Sequence, residues 1–219
     1  MTEPVLGWHF IVANRRMTID GERPDGAVVV SGGVYEYAGH EPPECCRRGL
    51  HASRRILDAL HHAPGPVVCR VRVSGEVHEQ DDKLCGRRRE VLWMVDATST
   101  LHEFTCRCAE RALRHAGITD SRCWNAIETK RRWMRGEATD AELYAAWAAA
   151  WAAAWAAAVD DGRTAAMAAV RATTRDAASV AARDSARGSA KNAARDSERD
   201  WQEAELVKLV CELPREAAC

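Results

Sequence analysis

The last third of the chain carries a four-residue repeat that strongly constrains its fold. From Leu143 onward the lead position holds Leu or Trp and later mostly Arg, and the last two positions are nearly always Ala, Ser or Thr. Because Ala has the highest helix propensity, the repeat predicts helix. A period of four exceeds the helical period of 3.6 residues, so the stripe of lead residues drifts by roughly 40° per repeat. One straight helix cannot bury such a stripe against a single neighbour, and we therefore expect an Ala-rich helical hairpin or bundle.

The helical region has signals for its start, its interruptions and its end. Thr139 is expected to be the N-cap of the first helix. The Asp-Asp-Gly sequence at residues 160–162 and Gly188 are expected to interrupt the helical run. A final helix over residues 200–213 is predicted to end at Pro214, because proline cannot continue it.

Three tryptophans occupy consecutive lead positions of the repeat: Trp147, Trp151 and Trp155. We expect them to contribute to the core of the helical region rather than to form a ligand platform. Their spacing rotates them by about 80° from first to last. They are therefore not expected to point into one interface.

The first 120 residues alternate short apolar runs with turn signals, which indicates an α+β domain with a small split β-sheet. Its centre is Gly49-Leu50-His51-Ala52-Ser53, where Ser53 is expected to cap a helix over residues 54–62. Ala63-Pro64-Gly65-Pro66 ends that helix. Strands are predicted over residues 6–12, 27–30, 34–37, 67–77 and 90–96, and a further helix over residues 98–115 with Gly117 as its C-cap.

These patterns divide the chain into four parts. We expect the α+β domain over residues 1–120, a connector over 121–138, the Ala-rich tetrad-repeat helical region over 139–213 and a tail over 214–219. The change to an Ala-rich composition near Asp140 is the sharpest of these boundaries.

Composition and charge argue against several classes of function. The net charge of -1 gives no overall attraction to nucleic acid or to an anionic membrane. The chain lacks a run of about 18 apolar residues, so no transmembrane helix is predicted. The Arg residues of the repeat alternate with Asp, which is typical of a solvated, ion-paired helix face rather than of nucleic-acid binding. Nine cysteines without a signal-peptide pattern indicate reduced thiols and a cytoplasmic location.

The cysteines do not predict a metal site. Zinc sites normally contain pairs of cysteines separated by two to four residues. Cys45 and Cys46 are instead adjacent, and Cys106 and Cys108 are separated by one residue on a predicted helix. We therefore expect buried thiols and no bound metal.

Several motifs together resemble a family of uncharacterised proteins found in phages and bacterial genomes. They are Trp8-His9-Phe10, Gly49-Leu50-His51-Ala52-Ser53, Ala59-Leu60 with Ala63-Pro64-Gly65, Asp81-Asp82-Lys83 and the Ala-rich tetrads. The resemblance covers nearly the whole chain. It implies no established activity, and its phage setting implies interference with a host process.

Residues 5–96 also resemble the central segment of ADP-ribosyltransferases of the poly-ADP-ribose polymerase type. The resemblance is carried by residues 49–53, the helix after them and the strand Val68-Cys69-Arg70-Val71-Arg72-Val73-Ser74-Gly75. That family uses a His–Tyr–Glu triad on three strands to bind and cleave NAD. The resemblance implies that His9 binds the nicotinamide ribose, that His51 stands where tyrosine stacks on nicotinamide, and that Glu90 stabilises the transition state. Histidine in place of tyrosine departs from the family's pattern.

The chemistry of NAD cleavage suits these residue types. Breaking the nicotinamide–ribose bond develops positive charge on the sugar, which a carboxylate such as that of Glu90 stabilises. Arg87, Arg88 and Arg89 are expected to contact the phosphates of NAD. Ser53 completes the expected cofactor-binding set.

Two classes of function stay open on the sequence. In the first, the α+β domain is a divergent ADP-ribosyltransferase-like NAD-binding module, active or inactive. In the second, Glu90 is an ordinary strand-edge charge, His9 and His51 are core histidines, and the protein is a non-enzymatic interaction factor. Such a factor would bind a host or phage protein through its helical repeats, which also allow a homo-oligomer. The first class requires the three side chains to line one cleft, whereas the second leaves them dispersed.

Overall fold

The computed structural model of the protein describes residues 3–17, 26–156, 166–170, 172–173 and 192–215. By packing, the chain divides into two compact units: unit 1 comprises Met1–Thr98 and Val207–Cys219, and unit 2 comprises Ser99–Leu206. The mixed fold predicted from the sequence is confirmed, with antiparallel sheets in the N-terminal part followed by helices. The boundaries predicted at residues 120 and 139 concern which fragments fold alone, and they stay predictions.

Two antiparallel sheets form unit 1. Its described elements, in chain order, are β1 (Val5–Ile11), β2 (Val34–Glu36), β3 (Leu50–Ala52), α1 (Ile56–His61), β4 (Val67–Ser74), β5 (His78–Glu79), β6 (Leu84–Gly86) and β7 (Arg88–Asp96). The four-stranded sheet has the order β1-β4-β7-β2, and the three-stranded sheet has the order β3-β6-β5. An isolated bridge between Trp8 of β1 and Ser53, directly after β3, connects the two sheets.

Strand alternation places an apolar core on one face of the four-stranded sheet. Val67, Cys69, Val71 and Val73 of β4 lie at alternate positions and are all buried. Branched side chains fit a pleated surface of this kind, and full burial of each valine contributes about 1.5–3 kcal/mol. The residues between them, such as Arg72, point to the opposite face, which is more exposed.

Two local predictions in unit 1 are wrong. Ser53 does not cap α1, whose N-cap is Arg55 and has no side-chain cap hydrogen bond. Ser53 instead exchanges backbone hydrogen bonds with Trp8, at 2.7 and 2.9 Å. Residues 27–30 form no strand, since Val28 makes an isolated bridge with Arg16. In both places backbone pairing with a segment distant in sequence outweighs the local signal.

In the ranges that the structure describes, the longer helices after the sheets are α2 (Thr98–His115), α3 (Ser121–Met134), α4 (Asp140–Ala156) and α5 (Asn192–Cys211). The helix predicted over residues 98–115 is confirmed, and Gly117 follows it with φ +63°, a conformation that glycine adopts without strain. No helix in the described ranges is both long enough and apolar enough to cross a membrane.

Three other expectations for the helical part have different outcomes. The segment expected as a connector, residues 121–138, contains α3, because Asp120 caps it by accepting a hydrogen bond from the Arg122 N–H at 2.9 Å. The last helix ends at Cys211, before Pro214, as predicted, but begins earlier, at Asn192. The interruptions predicted at residues 160–162 and at Gly188 lie outside the described residues.

Helix α4 buries alanine along one face. Its buried residues are Leu143, Ala146, Ala150, Ala153 and Ala154, a set with the three- and four-residue spacing of one helix face. Ala146 and Ala150 pack in one cluster with a buried alanine of α3. Small side chains at such a contact let two helix axes approach closely, since the distance between axes depends on the side chains between them.

The expectation that the tryptophans of α4 form core is therefore wrong for two of the three. Trp151 is 38% exposed and Trp155 is 60% exposed, whereas Trp147 packs against the alanine cluster. As their spacing predicted, the three do not share one interface. Their rings contact one another instead, with Trp147 stacked on Trp151 at a centroid distance of 5.8 Å.

Within unit 2, two ion pairs join α5 to α2. Arg107 pairs with Glu205, and Arg111 pairs with Glu198 at 2.7 Å. The Arg111 guanidinium also lies 4.4 Å from the centroid of the Trp201 ring, a cation–π contact.

Thr139 is the N-cap of α4, as predicted. Its hydroxyl accepts from the Glu142 N–H at 3.2 Å, and the Glu142 carboxylate accepts from the Thr139 N–H at 2.7 Å, the reciprocal pair of a capping box. Thr139→Ala is expected to lower the free energy of unfolding by about 1 kcal/mol, measured by urea denaturation. Thr139→Ser keeps the hydroxyl and should stay close to the parent protein. Equal losses in the two variants would contradict the capping role.

Candidate functional site

A cavity of about 670 Å³ lies in unit 1, and four of the residues predicted for the site line it. These are His9 of β1, His51 of β3, Arg89 of β7 and Ser53, whose backbone is engaged with Trp8. The cavity volume is within the range of about 300–1,000 Å³ typical of small-molecule sites.

Strand register explains why His9 and Arg89 meet. His9 pairs with Cys69 of β4, and Arg89 of β7 pairs with Val73, four residues further along β4. Residues an even number apart on a strand point to the same face, and so do paired residues on neighbouring strands. His9 and Arg89 therefore share the core face of the four-stranded sheet.

Arg89 is the most unusual group in the cavity. It is only 4% exposed, and it donates one hydrogen bond to the His51 carbonyl oxygen at 2.8 Å and a weak one to the Met17 sulfur at 3.7 Å. Its Nε has no hydrogen-bond partner, and among the described residues no carboxylate pairs with it. Burial lowers the pKa of Arg89 to about 10, which still leaves the guanidinium charged at neutral pH.

The two histidines are held neutral by this environment. Burial first, and then the Arg89 charge and His51, lower the pKa of His9 well below its ordinary value. Burial, Arg89 and Lys83 lower the pKa of His51, and backbone hydrogen bonds at Glu44 and Gly49 act in the opposite direction. The His51 Nε2 accepts a hydrogen bond from the Cys46 N–H at 3.1 Å, as the neutral ring requires.

The remaining basic residues around the cavity differ from Arg89 because each has an acidic neighbour. Arg47 lies 3.5 Å from Glu44, Arg48 pairs with Glu41 and Glu44, His62 lies 2.8 Å from Asp82, and Lys83 lies 4.0 Å from Asp82. None of these acids lines the cavity, and no other Asp or Glu of the described ranges does so. The described lining is thus basic, with Arg89 as its buried charge.

Glu90 is not part of this cavity, and the expectation that it shares a cleft with His9 and His51 is wrong. It pairs in register with Arg72 of β4, and its carboxylate accepts a hydrogen bond from the Arg72 guanidinium at 2.7 Å. Arg72 points away from the apolar core, so Glu90 lies on the face opposite His9 and Arg89. The reason is the pleat, which turns neighbouring residues of β7 to opposite faces.

Arg87 and Arg88 also lie outside the cavity lining, contrary to the expected phosphate-binding set. Arg87 donates to the Glu76 carboxylate at 2.8 Å and to the carbonyl oxygen of Gly39 at 2.8 Å, so it ties two loops together. Arg88 lies exposed beside Glu36, at 3.9 Å. Of the three consecutive arginines, Arg89 faces the cavity.

Two functional candidates were not predicted from the sequence, namely Cys46 and Lys83. Both line the cavity, and the Lys83 ammonium contacts the Cys46 sulfur at 2.9 Å. The sequence held no signal for this contact, because the residues are 37 positions apart. Across the described residues, no group of three or more His, Cys, Asp and Glu side chains is arranged to hold a metal ion.

Residues 30–103 match the model of a family described as a domain of unknown function, DUF7666. The match extends from before β2 into α2, so it includes His51, Lys83 and Arg89 but not His9. An uncharacterised domain was expected, and over this segment the expectation is confirmed. Neither the curated proteins nor the solved structures gave a match to the chain.

Acid should destabilise the protein through His9. The pKa of His9 in the folded state lies below the unfolded value of about 6.5. At pH values between the two, His9 is protonated in the unfolded chain and neutral in the folded chain. The free energy of unfolding should be highest above pH ~6.5 and should fall below it, with a slope of up to about 1.4 kcal/mol per pH unit from this residue. Urea denaturation between pH 7 and pH 5 measures the slope.

The matched variant is His9→Gln, which cannot be protonated in this range. Its slope should be shallower than that of the parent protein, although His51 and His102, whose pKa values are also lowered, contribute to both. Identical slopes in the two proteins would contradict a buried neutral His9.

Proposed function

We propose that the cavity of unit 1 binds a small phosphorylated ligand, with NAD as the first candidate, and that it binds this ligand without cleaving it. The observation that carries the proposal is Arg89, a buried guanidinium with no acidic partner among the described residues. The proposal keeps the NAD-binding part of the ADP-ribosyltransferase resemblance and drops the triad chemistry.

The energetic argument starts from the cost of burying a charge. Removing an ion from water costs several kcal/mol unless an opposite charge and hydrogen bonds compensate. Arg89 has two hydrogen bonds and no carboxylate in the described chain. A phosphate bound in the cavity would supply the missing opposite charge to the guanidinium, and arginine binds phosphate well because its donors form a rigid fork.

The rest of the described lining also suits an anion. Arg47, Arg48 and Lys83 supply further hydrogen-bond donors to the lining, although each also has an acidic neighbour outside it. Tyr37 and His51 contribute aromatic side chains for contact with a ring such as nicotinamide or adenine. His9 is neutral, so one of its ring nitrogens can accept a hydrogen bond from a ribose hydroxyl, whereas the acceptor nitrogen of His51 is already engaged by the Cys46 N–H.

The position of Glu90 supports binding without cleavage. Cleavage of the nicotinamide–ribose bond needs negative charge against the sugar. Glu90 lies on the other face of the sheet, and positive charge from Arg89 would oppose a developing cation in the cavity.

The second candidate function is protein interaction through the helical region, as a non-enzymatic factor or as a homo-oligomer. The observation that favours it is the run of exposed aromatic side chains on α4, where Tyr144 is 68% exposed and Trp151 is 38% exposed. Large exposed aromatic residues are common at protein interfaces. Light scattering of the purified protein before and after Trp151→Ala would detect a homo-oligomer that uses this surface.

The ligand proposal is tested by calorimetric titration with NAD, ADP-ribose, nicotinamide and inorganic phosphate. NAD and ADP-ribose should bind, and nicotinamide alone should not, because it lacks phosphate. Arg89→Met should weaken NAD binding by about tenfold or more, since a hydrogen bond to a charged group contributes about 1.5–3 kcal/mol. Arg72→Met removes an arginine from the opposite face of the same sheet and should leave the affinity unchanged.

Stability without ligand separates this role from a structural one. If Arg89 serves a ligand, Arg89→Met should melt at or above the temperature of the parent protein, because the variant no longer buries an unpaired charge. If Arg89 instead belongs to a structural ion pair, its loss would destabilise the fold strongly and phosphate would not bind. A third measurement tests whether Asp20, Glu22 or Asp25 is the ionic partner of Arg89. If none of them is, changing all three to amides should not alter the phosphate affinity.

A further inference from the structure

Cys46 occupies a special position at the rim of the cavity. It lies at the tip of a tight turn in which the Glu44 N–H donates to the Arg48 carbonyl oxygen at 2.8 Å and the Arg48 N–H donates to the Glu44 carbonyl oxygen at 2.9 Å. Its φ of +70° is in the left-handed region, which non-glycine residues rarely adopt. The residue is exposed and lines the cavity.

The sulfur of Cys46 is in contact with a positive charge. The Lys83 ammonium lies 2.9 Å from it, and this hydrogen bond is the main cause of the raised pKa of Lys83. The ammonium is therefore placed to pair with the sulfur when Cys46 reacts as a thiolate, the nucleophilic form of cysteine. The backbone N–H of Cys46 is fixed by the His51 ring, so the turn that presents the sulfur is held in place.

Three other thiols of unit 1 have a different environment. Cys45 and Cys85 are buried with their sulfurs 3.3 Å apart, and burial raises the pKa of Cys85 to about 12. Burial also raises the pKa of Cys69 to about 12. With these raised pKa values, the thiols of Cys69 and Cys85 stay protonated at neutral pH. Among the described cysteines, Cys46 and Cys211 are exposed.

A second and independent observation points to a ligand beside Cys46. The buried guanidinium of Arg89 belongs to the lining of the same cavity and has no acidic partner in the described chain. An anion held by Arg89 would bring the rest of its molecule into the cavity whose rim carries the Cys46 sulfur.

We propose that Cys46 is a nucleophilic residue of this cavity, and that its substrates are small electrophiles that carry an anionic group bound by Arg89. The inference rests on the anion-binding part of the proposed function. The thiolate sulfur attacks the electrophilic carbon, a carbon–sulfur bond forms, and the leaving group departs with the electron pair of its former bond. Lys83 keeps its proton throughout and stabilises the thiolate before attack.

Iodoacetate and iodoacetamide are matched probes for this chemistry. Both are attacked at the same carbon with loss of iodide, but iodoacetate carries a carboxylate and iodoacetamide is neutral. The full-length protein is treated with each reagent, and carboxymethylation or carbamidomethylation of each cysteine is followed by peptide mass spectrometry. Cys46 should react about tenfold faster than Cys211 with iodoacetate, and its ratio of iodoacetate rate to iodoacetamide rate should exceed that of Cys211.

Three variants separate the contributions of Lys83 and Arg89 to the reaction rate of Cys46. Lys83→Met should slow the reaction of Cys46 with both reagents, because it removes the charge that pairs with the thiolate. Arg89→Met should slow iodoacetate and leave iodoacetamide unchanged. Lys208→Met removes an exposed lysine of α5 and should change neither rate. Inorganic phosphate added to the unmodified protein should slow iodoacetate at Cys46 selectively, a measurement that needs no variant.

The outcomes also separate this inference from the proposed function. If Cys46 reacts no faster than Cys211, or shows no preference for iodoacetate in a protein that binds NAD, the inference is overturned and the ligand proposal stands. If Cys46 prefers iodoacetate and phosphate protects it, but NAD does not bind, the nucleophile stands and NAD is the wrong ligand.

Discussion

The burial of a single guanidinium determines the character of the cavity in unit 1. Arg89 lies on β7 between Arg88 and Glu90, and the pleat turns it toward the core while its neighbours face outward. Its charge and the low polarity around it keep His9 and His51 neutral. The positive charge at the base of the cavity therefore belongs to a group that does not titrate near neutral pH. Any preference for anions that depends on Arg89 would hold across that range.

This electrostatic environment suits some reactions and opposes others. A transition state that gains positive charge, as in cleavage of a glycosidic bond to nicotinamide, would be disfavoured beside Arg89. A thiolate nucleophile and an anionic substrate would both be favoured there. The unpaired guanidinium of Arg89 thus lies on the core face of the sheet, and the Arg72–Glu90 ion pair lies on its other face. Resemblance in sequence order did not reveal this, because order does not specify the face of a strand.

The features that depend on local patterns could be predicted from the sequence. The helix at residues 98–115, its end at Gly117 and the cap at Thr139 follow from apolar spacing and side-chain chemistry. Features that depend on contacts between distant segments could not. Ser53 has the chemistry of a cap but pairs with Trp8, and the contact between Cys46 and Lys83 arises only when the turn of Cys46 lies beside the residue that precedes β6.

The site shows the same division more sharply. His9 and His51 were carried over by position from the ADP-ribosyltransferase resemblance, Arg89 was chosen as a phosphate contact, and the structure brings the three to one cavity. Glu90 was carried over from the same resemblance and lies on the other face. The matched domain begins after β1, yet β1 supplies His9 and covers β4 along seven paired residues. A chain cut at the start of that domain would leave β4 as an open, apolar edge strand, the kind of edge that joins to other molecules. Besides contributing His9 to the cavity, β1 therefore covers the edge of β4 at which another molecule could pair.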